Sequence, residues 1–441
     1  MRLRGTTALT NRRAITSIRN IPDLSDINLP DNMATATTIK LSLADAGVFS
    51  IGAREDSAKR ASELLQEDMR LHHIFFNKSR FHNHIVHHLL TLFALGASPE
   101  EIQAAYDRGH SYQRTAYPVE DDVVHSIIEK GNFKDYLGKE EHYSSFLAYF
   151  QQEIDSKGVP TALQEHLFAE DQHADDMLAR MFAGLIHPII HLGFGIEFNQ
   201  PAIIAQALAE AAVHENWIGT YLYNVEKAAG GVGSTPGKSL TQLVSEARQD
   251  KELAGSARWG DGNLIRDGTL KRAPQEMQEF AKQYTVSSDT LNEQLAEMIN
   301  ALVYCAAASQ KPPKAVKFDF ILIHALNCSV FFSAILSRSW ISSRAKVRLL
   351  EWKGRMDLLL YVSRGTPPLD LEEITNYPTS KNWKQVFDAG NQSPSDDSHL
   401  VKLVRAIANG ERVCKILEGQ GKSNEWKMKG DAWLRAGNMG K

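Results

Sequence analysis

The chain has 441 residues, 43% of them hydrophobic and 23% charged, with a formal net charge of −4; this is globular composition with enough apolar content for a large core, and nothing in the charge balance draws it to nucleic acid or an anionic membrane. Its three cysteines, Cys305, Cys328 and Cys414, contain no C-x-x-C pair and are odd in number, which excludes a disulfide framework, a zinc ribbon, an iron–sulfur cluster and c-type haem attachment and points to a reducing, cytoplasmic setting. No apolar run approaches the roughly 20 residues of a membrane-spanning helix.

Residues 1–38 read as a leader. Arg2, Arg4, Arg12, Arg13 and Arg19 lie among serines and threonines with no acid before Asp23, the composition of a weak mitochondrial transit peptide, and Met33 offers a later start. Helical signals dominate from Ile39 onward. Glu55–Met69 carries apolar residues at 61, 64, 65 and 69, one face of a helix. Asn83–Leu95 is apolar on most faces and stops at Gly96. Ser98-Pro-Glu-Glu101 opens the next helix, with an N-cap serine, proline at the first position and acids in the first turn. His142–Ile154, Asp175–Ile186, Pro201–Val225, Ser287–Ala308, Phe318–Arg338 and Arg344–Ser363 continue the pattern. Loops are expected at the glycine-rich 228–237, at 260–268, at Gly365-Thr-Pro-Pro368 and at 391–397. Period-two alternation is scarce, and there is no strand–helix–strand rhythm or solenoid repeat. The expectation is an all-α protein, one irregular multi-helix domain over residues 39–441.

Histidine placement is the strongest chemical signal. Six of the sixteen histidines fall between positions 72 and 88. His84 and His88 are four apart on a helix with apolar neighbours, so both imidazoles can face one ion. His187-Pro-Ile-Ile-His191 repeats the spacing, with Pro188 disturbing the helix near His187 and Gly193-Phe-Gly195 ending it. His324 stands on a third apolar helix. Imidazoles converging in an apolar interior suit Fe, Zn, Cu or Ni. Each needs an acceptor for its second nitrogen, and Asn83, Asn327, Glu197 and Asp357 are candidates. His110, His125, His142, His166, His173 and His399 sit in polar text and are expected at the surface; His72 and His73 are expected at the site entrance, and His214 in support or in the core. Phe75, Phe76, Phe194, Trp217, Tyr221 and Trp352 either stack on a flat ligand or fill the core. Neither pair carries the glutamate of H-E-x-x-H, and the paired E-x-x-H of ferritin-like di-iron sites is missing. The plain alternative is a helical interaction protein whose histidines only pack.

A flavin or NADPH enzyme holds its dinucleotide on a G-x-G-x-x-G turn between strand and helix. Gly230-Gly-Val-Gly has no buried strand before it, Gly193-Phe-Gly195 lacks the third glycine, and Gly233-Ser-Thr-Pro-Gly-Lys-Ser239 is one residue short of a P-loop.

The chain resembles the questin oxidase-like family in Leu71-His-His-Ile-Phe-Phe-Asn77, Phe81-His-Asn-His-Ile-Val-His-His-Leu-Leu90, Leu95-Gly-Ala-Ser98, Gly184–Gly195, Phe318–Asn327 and Leu359–Pro367. The resemblance spans about residues 39 to 415. It implies oxidative cleavage of an anthraquinone-type aromatic polyketide ring with O2 in secondary metabolism, an iron(II) cofactor held by histidines and a carboxylated lysine, and in some members a need for NADPH. Carried onto this sequence, the metal-ligand candidates are His84, His88, His187, His191, His324 and Lys353, with His84, His324 and Lys353 at the catalytic position; five histidines are one more than such a site takes. Lys353 could serve only as a carbamate, because an ammonium has donors and no acceptor, whereas a buried amine is neutral enough to add CO2. Iron would bind the substrate phenolate and O2 together, and ring opening would follow. An NADPH- or flavin-assisted Baeyer–Villiger monooxygenase stands as the alternative.

Overall fold

Ser98 accepts a hydrogen bond from the Glu101 backbone N–H at 3.2 Å, and Glu101 Oε2 accepts the Ser98 N–H at 2.8 Å. This is the capping box that starts the helix at Pro99. The structure, a computed structural model, describes residues 33–233, 237–420 and 425–440; most of the expected leader lies outside the described residues. Those residues hold twenty-two α-helices and no sheet, with isolated bridges only at His72–Thr115 and Phe75–His82. Ala34–Lys441 form one compact unit.

Ten helices position the site: α1 (Glu55–Leu71), α2 (Ile85–Ala94), α3 (Pro99–His110), α4 (Tyr143–Lys157), α5 (Ala183–Glu197), α6 (Pro201–Val213), α7 (Leu291–Ala308), α8 (Phe320–Ser337), α9 (Ser343–Ser363) and α10 (His399–Glu418). The core is α5 packed between α6 and α8, with α4 outside α6 and α7, α9 and α10 around α8. α1, α2 and α3 pack together, and α2 carries them onto α5 and α10. Small residues set these distances: a β-carbon on Gly193 would run into the Phe331 ring of α8, and one on Gly195 would lie 2.6 Å from Ile204 of α6. By length and composition α8 could cross a membrane; 72% of it is buried inside this fold, as in a central core helix.

Three expected elements differ. The stretch 201–225 is two helices, because α6 stops at Val213 and His214 takes an extended conformation; Asn216 Oδ1 then accepts the Gly219 N–H at 3.1 Å, capping the helix Gly219–Ala228. The helix expected to run to Ile186 ends at Met181. Gly184, Leu185 and Ile186 then adopt left-handed φ values of 51°, 57° and 60°, and the path bends by 96°. Left-handed backbone costs a non-glycine residue about 1–2 kcal/mol, so Leu185 and Ile186 are held there by packing. Pro188 enters the first right-handed turn that follows, where its missing N–H is harmless. Gly193 and Gly195 do not end α5, which runs on to Glu197.

Glu197 and Arg405 lock α5, α10 and the N-terminal segment together. Their side chains are 0% and 2% exposed. Arg405 donates to both carboxylate oxygens, at 2.5 and 3.1 Å, and to the Phe49 carbonyl at 2.9 Å, while the Val48 N–H donates to Glu197 at 2.8 Å. Breaking one side of such a pair strands a buried charge. Arg405→Met is therefore expected to lower the unfolding free energy by about 3–5 kcal/mol in chemical denaturation; a loss within the ordinary surface range would show that the clamp does not hold the fold.

Candidate metal centre

Four imidazoles from four distant segments converge. His84 caps the N-terminus of α2, His187 follows the left-handed turn of α5, His324 lies one turn into α8, and His399 opens α10. His84 Nε2 lies 3.1 Å from His187 Nε2, and His324 Nε2 lies 3.3 Å from His399 Nε2. The ligand atoms of His84, His324 and His399 all fall within 4.8 Å of one another.

Their tautomers are fixed from behind. The Nδ1–H of His84 donates to the His82 carbonyl at 2.7 Å, that of His187 to the Gly184 carbonyl at 2.6 Å, and that of His324 to the Phe320 carbonyl at 2.7 Å. A carbonyl can only accept, so each of these Nδ1 atoms carries the proton. His399 Nδ1 faces Asp397 at 2.7 Å. Burial works against the Asp397 charge, but the His399 hydrogen bond outweighs it and holds the carboxyl down to about 2, so this partner is acceptor-only as well. All four Nε2 atoms are then bare lone pairs, those of His84 and His187 facing each other and those of His324 and His399 likewise. Burial first, and neighbouring positive charge second, push the pKa of all four imidazoles below the ordinary value, which leaves them neutral, the form that binds a metal. Lone pairs at this spacing repel without a cation among them, and adjacent donors on one first-row ion stand about 3 Å apart. The donor set fits a divalent transition metal.

A buried lysine stands on α10 near His399, and it is Lys402. It lies one turn after His399 on α10 and is buried, and its Nζ has no hydrogen-bond partner. Behind burial, its charge is among those that depress the pKa of His82, His84, His87, His88, His187, His324 and His399. Burial pushes the Lys402 pKa down to about 8, against the opposing pull of Asp397 and Asp396. An amine so tuned can add CO2 and present an oxygen ligand. Lys353 is not at the centre. It is buried on α9, and its Nζ is taken up by both carboxylate oxygens of Asp357 and, at 3.0 Å, by the Ala325 carbonyl.

The other expectations resolve in the same terms. His88 points away from His84, with Nε2 3.7 Å from Asp396 Oδ2, because His84 is a cap outside the helical turn that His88 belongs to. His191 faces Glu210 instead, at 3.5 Å. Of the expected acceptors, Asn83 binds Asp68, Glu197 binds Arg405 and Asp357 binds Lys353; backbone carbonyls and Asp397 do their work. His399 and His166 are buried rather than at the surface. His72 pairs with Asp68 at 2.8 Å, and His73 takes the Arg114 guanidinium at 2.8 Å, away from the four Nε2 atoms. Phe75, Phe194, Tyr221 and Trp352 are core. The aromatic ring that does meet the centre is Phe320, 55% exposed, with its ring 4.5 Å from His324 and 5.0 Å from His399. His399, Lys402 and Phe320 escaped sequence reading. The available signal was His399-Leu-Val-Lys402 itself: two polar residues at helical i, i+3 spacing in an otherwise apolar stretch.

The profile of the questin oxidase-like family matches residues 81–407, a span that contains all four imidazoles and Lys402. The chain is similar to the Baeyer-Villiger oxidase ptaJ of Pestalotiopsis fici, 38% identical over 92% of this chain and 93% of that protein. It is similar to the Baeyer-Villiger monooxygenase dmxR6 of a Cryptosporiopsis species, 37% identical over 92% and 93%. It is also similar to the questin oxidase of Aspergillus terreus, 37% identical over 92% of both chains.

Proposed function

The chain belongs to the questin oxidase-like family of oxygenase-type enzymes, and from that premise we propose that it cleaves a ring of an anthraquinone-type aromatic polyketide with O2 at an iron(II) centre. One observation carries the reading: the donor atoms of the neutral His84, His324 and His399 gather within 4.8 Å of one another, with His187 Nε2 3.1 Å from His84 Nε2 and a buried, unpartnered lysine one turn along α10 from His399. His84, His187, His324 and His399 would hold the ion, and Lys402, as a carbamate, would add an anionic oxygen. Bound there, an iron ion would supply the redox exchange between O2 and an electron-rich substrate. The chain does the rest. The three backbone carbonyls and Asp397 keep the imidazole protons facing outward, burial keeps water from the donors, and Phe320 offers an aromatic face at the exposed side for a flat polycycle. Electrons come from the phenolic ring itself, so no reductant is required.

The test is O2 uptake by the iron-reconstituted full-length chain with a panel of hydroxyanthraquinones. One O2 should disappear per substrate opened, both atoms of labelled O2 should enter the product, and NADPH should be untouched. The names of the relatives favour a second reading, Baeyer–Villiger insertion of one oxygen atom beside a carbonyl; the family resemblance implies NADPH as its reductant. Turnover that consumes NADPH and proceeds in metal-free protein would replace the first reading with the second.

A further inference from the structure

Beside the four-histidine focus lies another convergence of donors that this reaction leaves unused. Helix α6 is apolar throughout except for Gln206 and Glu210, and His214 follows at its C-cap. Steps of four residues line the three along one face. Glu210 is 1% exposed, and neither carboxylate oxygen has a hydrogen-bond partner. An ionised carboxylate so placed is strongly disfavoured unless a cation meets it, and burial pushes its pKa well above the ordinary value.

Imidazoles surround it. His82 Nε2 lies 3.5 Å from Glu210 Oε1 and 2.8 Å from His214 Nε2. His191 Nδ1 lies 3.5 Å from Glu210 Oε2, and both His191 nitrogens lack partners. The donor atoms of His82, Glu210 and His214 all fall within 4.8 Å of one another. A protonated Glu210 would not satisfy the group, because a carboxyl O–H needs its acceptor within about 3.0 Å. The observed separations instead match two ligands sharing one ion, about 3 Å apart. Gly184 gives the rings their room: a β-carbon there would overlap His214 and come within 2.9 Å of His82.

We propose that His82 Nε2, His214 Nε2 and a Glu210 oxygen bind a second divalent transition-metal ion, of the zinc or iron(II) class, with His191 Nδ1–H holding the other Glu210 oxygen. Two imidazoles and a carboxylate with positions left open are a donor set that both ions accept. The His82 ring stacks on the His187 ring at 3.9 Å and 7°, so the second ion sits directly against the wall of the first centre.

The test is metal stoichiometry of the full-length chain, stripped by chelator and reloaded in separate arms with Zn2+ alone and with Fe2+ alone under argon. The parent is expected to retain about two ions per chain in at least one arm, and Glu210→Gln and His214→Gln about one. His324→Ala should lose the other ion and keep the Glu210-dependent one. A parent that holds a single ion, kept by Glu210→Gln and lost by His324→Ala, overturns this proposal and leaves the iron reading standing. A single ion lost by Glu210→Gln and kept by His324→Ala sinks the iron reading instead. Should the Glu210 variants fail to fold, Co2+ titration of the parent decides: d–d absorption rising in two steps supports the second site, and saturation at one equivalent overturns it.

Discussion

His324→Ala should leave a folded, helical protein that binds no metal at the first centre and turns over at least about a thousandfold more slowly, a deficit of roughly 4 kcal/mol in the barrier. His324 is fully buried, and its Nε2 faces His399 while its Nδ1 is tied to the Phe320 carbonyl of its own helix. Nothing else in the described residues uses that Nε2, so its removal deletes a donor without breaking a packing network. Far-UV circular dichroism should therefore be near that of the parent, while metal content and O2 uptake fall together. His88→Ala is the matched control: His88 contacts Asp396 rather than the four Nε2 atoms, so it should retain the metal and most of the turnover. Equal losses in both variants would show that the histidines serve packing and that the convergence is incidental.

Replacement of Lys402 should be nearly as damaging, and distinguishable by chemistry. Carboxylation forms a bond from the Lys402 amine nitrogen to the carbon of CO2 and releases one proton to solvent. It needs the neutral amine. With a pKa pushed down to about 8 by burial, that form is scarce below pH 7 and dominant above pH 9. Because the folded-state pKa is lowered, activation at fixed dissolved CO2 should rise through about pH 7–9 and level off above it. Removing CO2 from the buffer should depress parental activity, and bicarbonate should restore it. Lys402→Ala should lose turnover by about a hundredfold or more, ignore bicarbonate, and recover in part with a small carboxylate such as acetate. Lys353→Met should cost stability, because it strands Asp357, yet leave the bicarbonate response intact. A bicarbonate response that follows Lys353 and not Lys402 would sink this assignment.

The helices that sequence reading found are those whose apolar periodicity is long and whose caps are local. α1 was legible from four apolar positions and α3 from four residues at its start, because the forces that define them act within a turn or two. What sequence hid was set at longer range. The break at His214 and the left-handed path through Gly184–Ile186 run against local preference and are fixed by neighbours from other segments. The centre divides in the same way. His84, His187 and His324 stand in apolar surroundings and could be singled out. His399 follows Pro394-Ser-Asp-Asp-Ser398, text that reads as a solvent-exposed loop, and only the fold shows that Asp397 turns back to hold its imidazole. Lys353 and Lys402 look alike in sequence; the partner that neutralises one and is missing from the other, Asp357, is an i+4 neighbour whose significance depends on burial.

The four imidazoles are spread over most of the polymer's length, and two of them arrive late. A ribosome must release α10 before His399 and Lys402 can join His84 and His187, and the Glu197–Arg405 clamp can close only at the same moment. Assembly of the centre is thus coupled to completion of the domain. A nascent or truncated chain that stops before α10 offers an incomplete claw, so on the proposed iron reading capture of the ion would wait until the walls that keep water from it are in place.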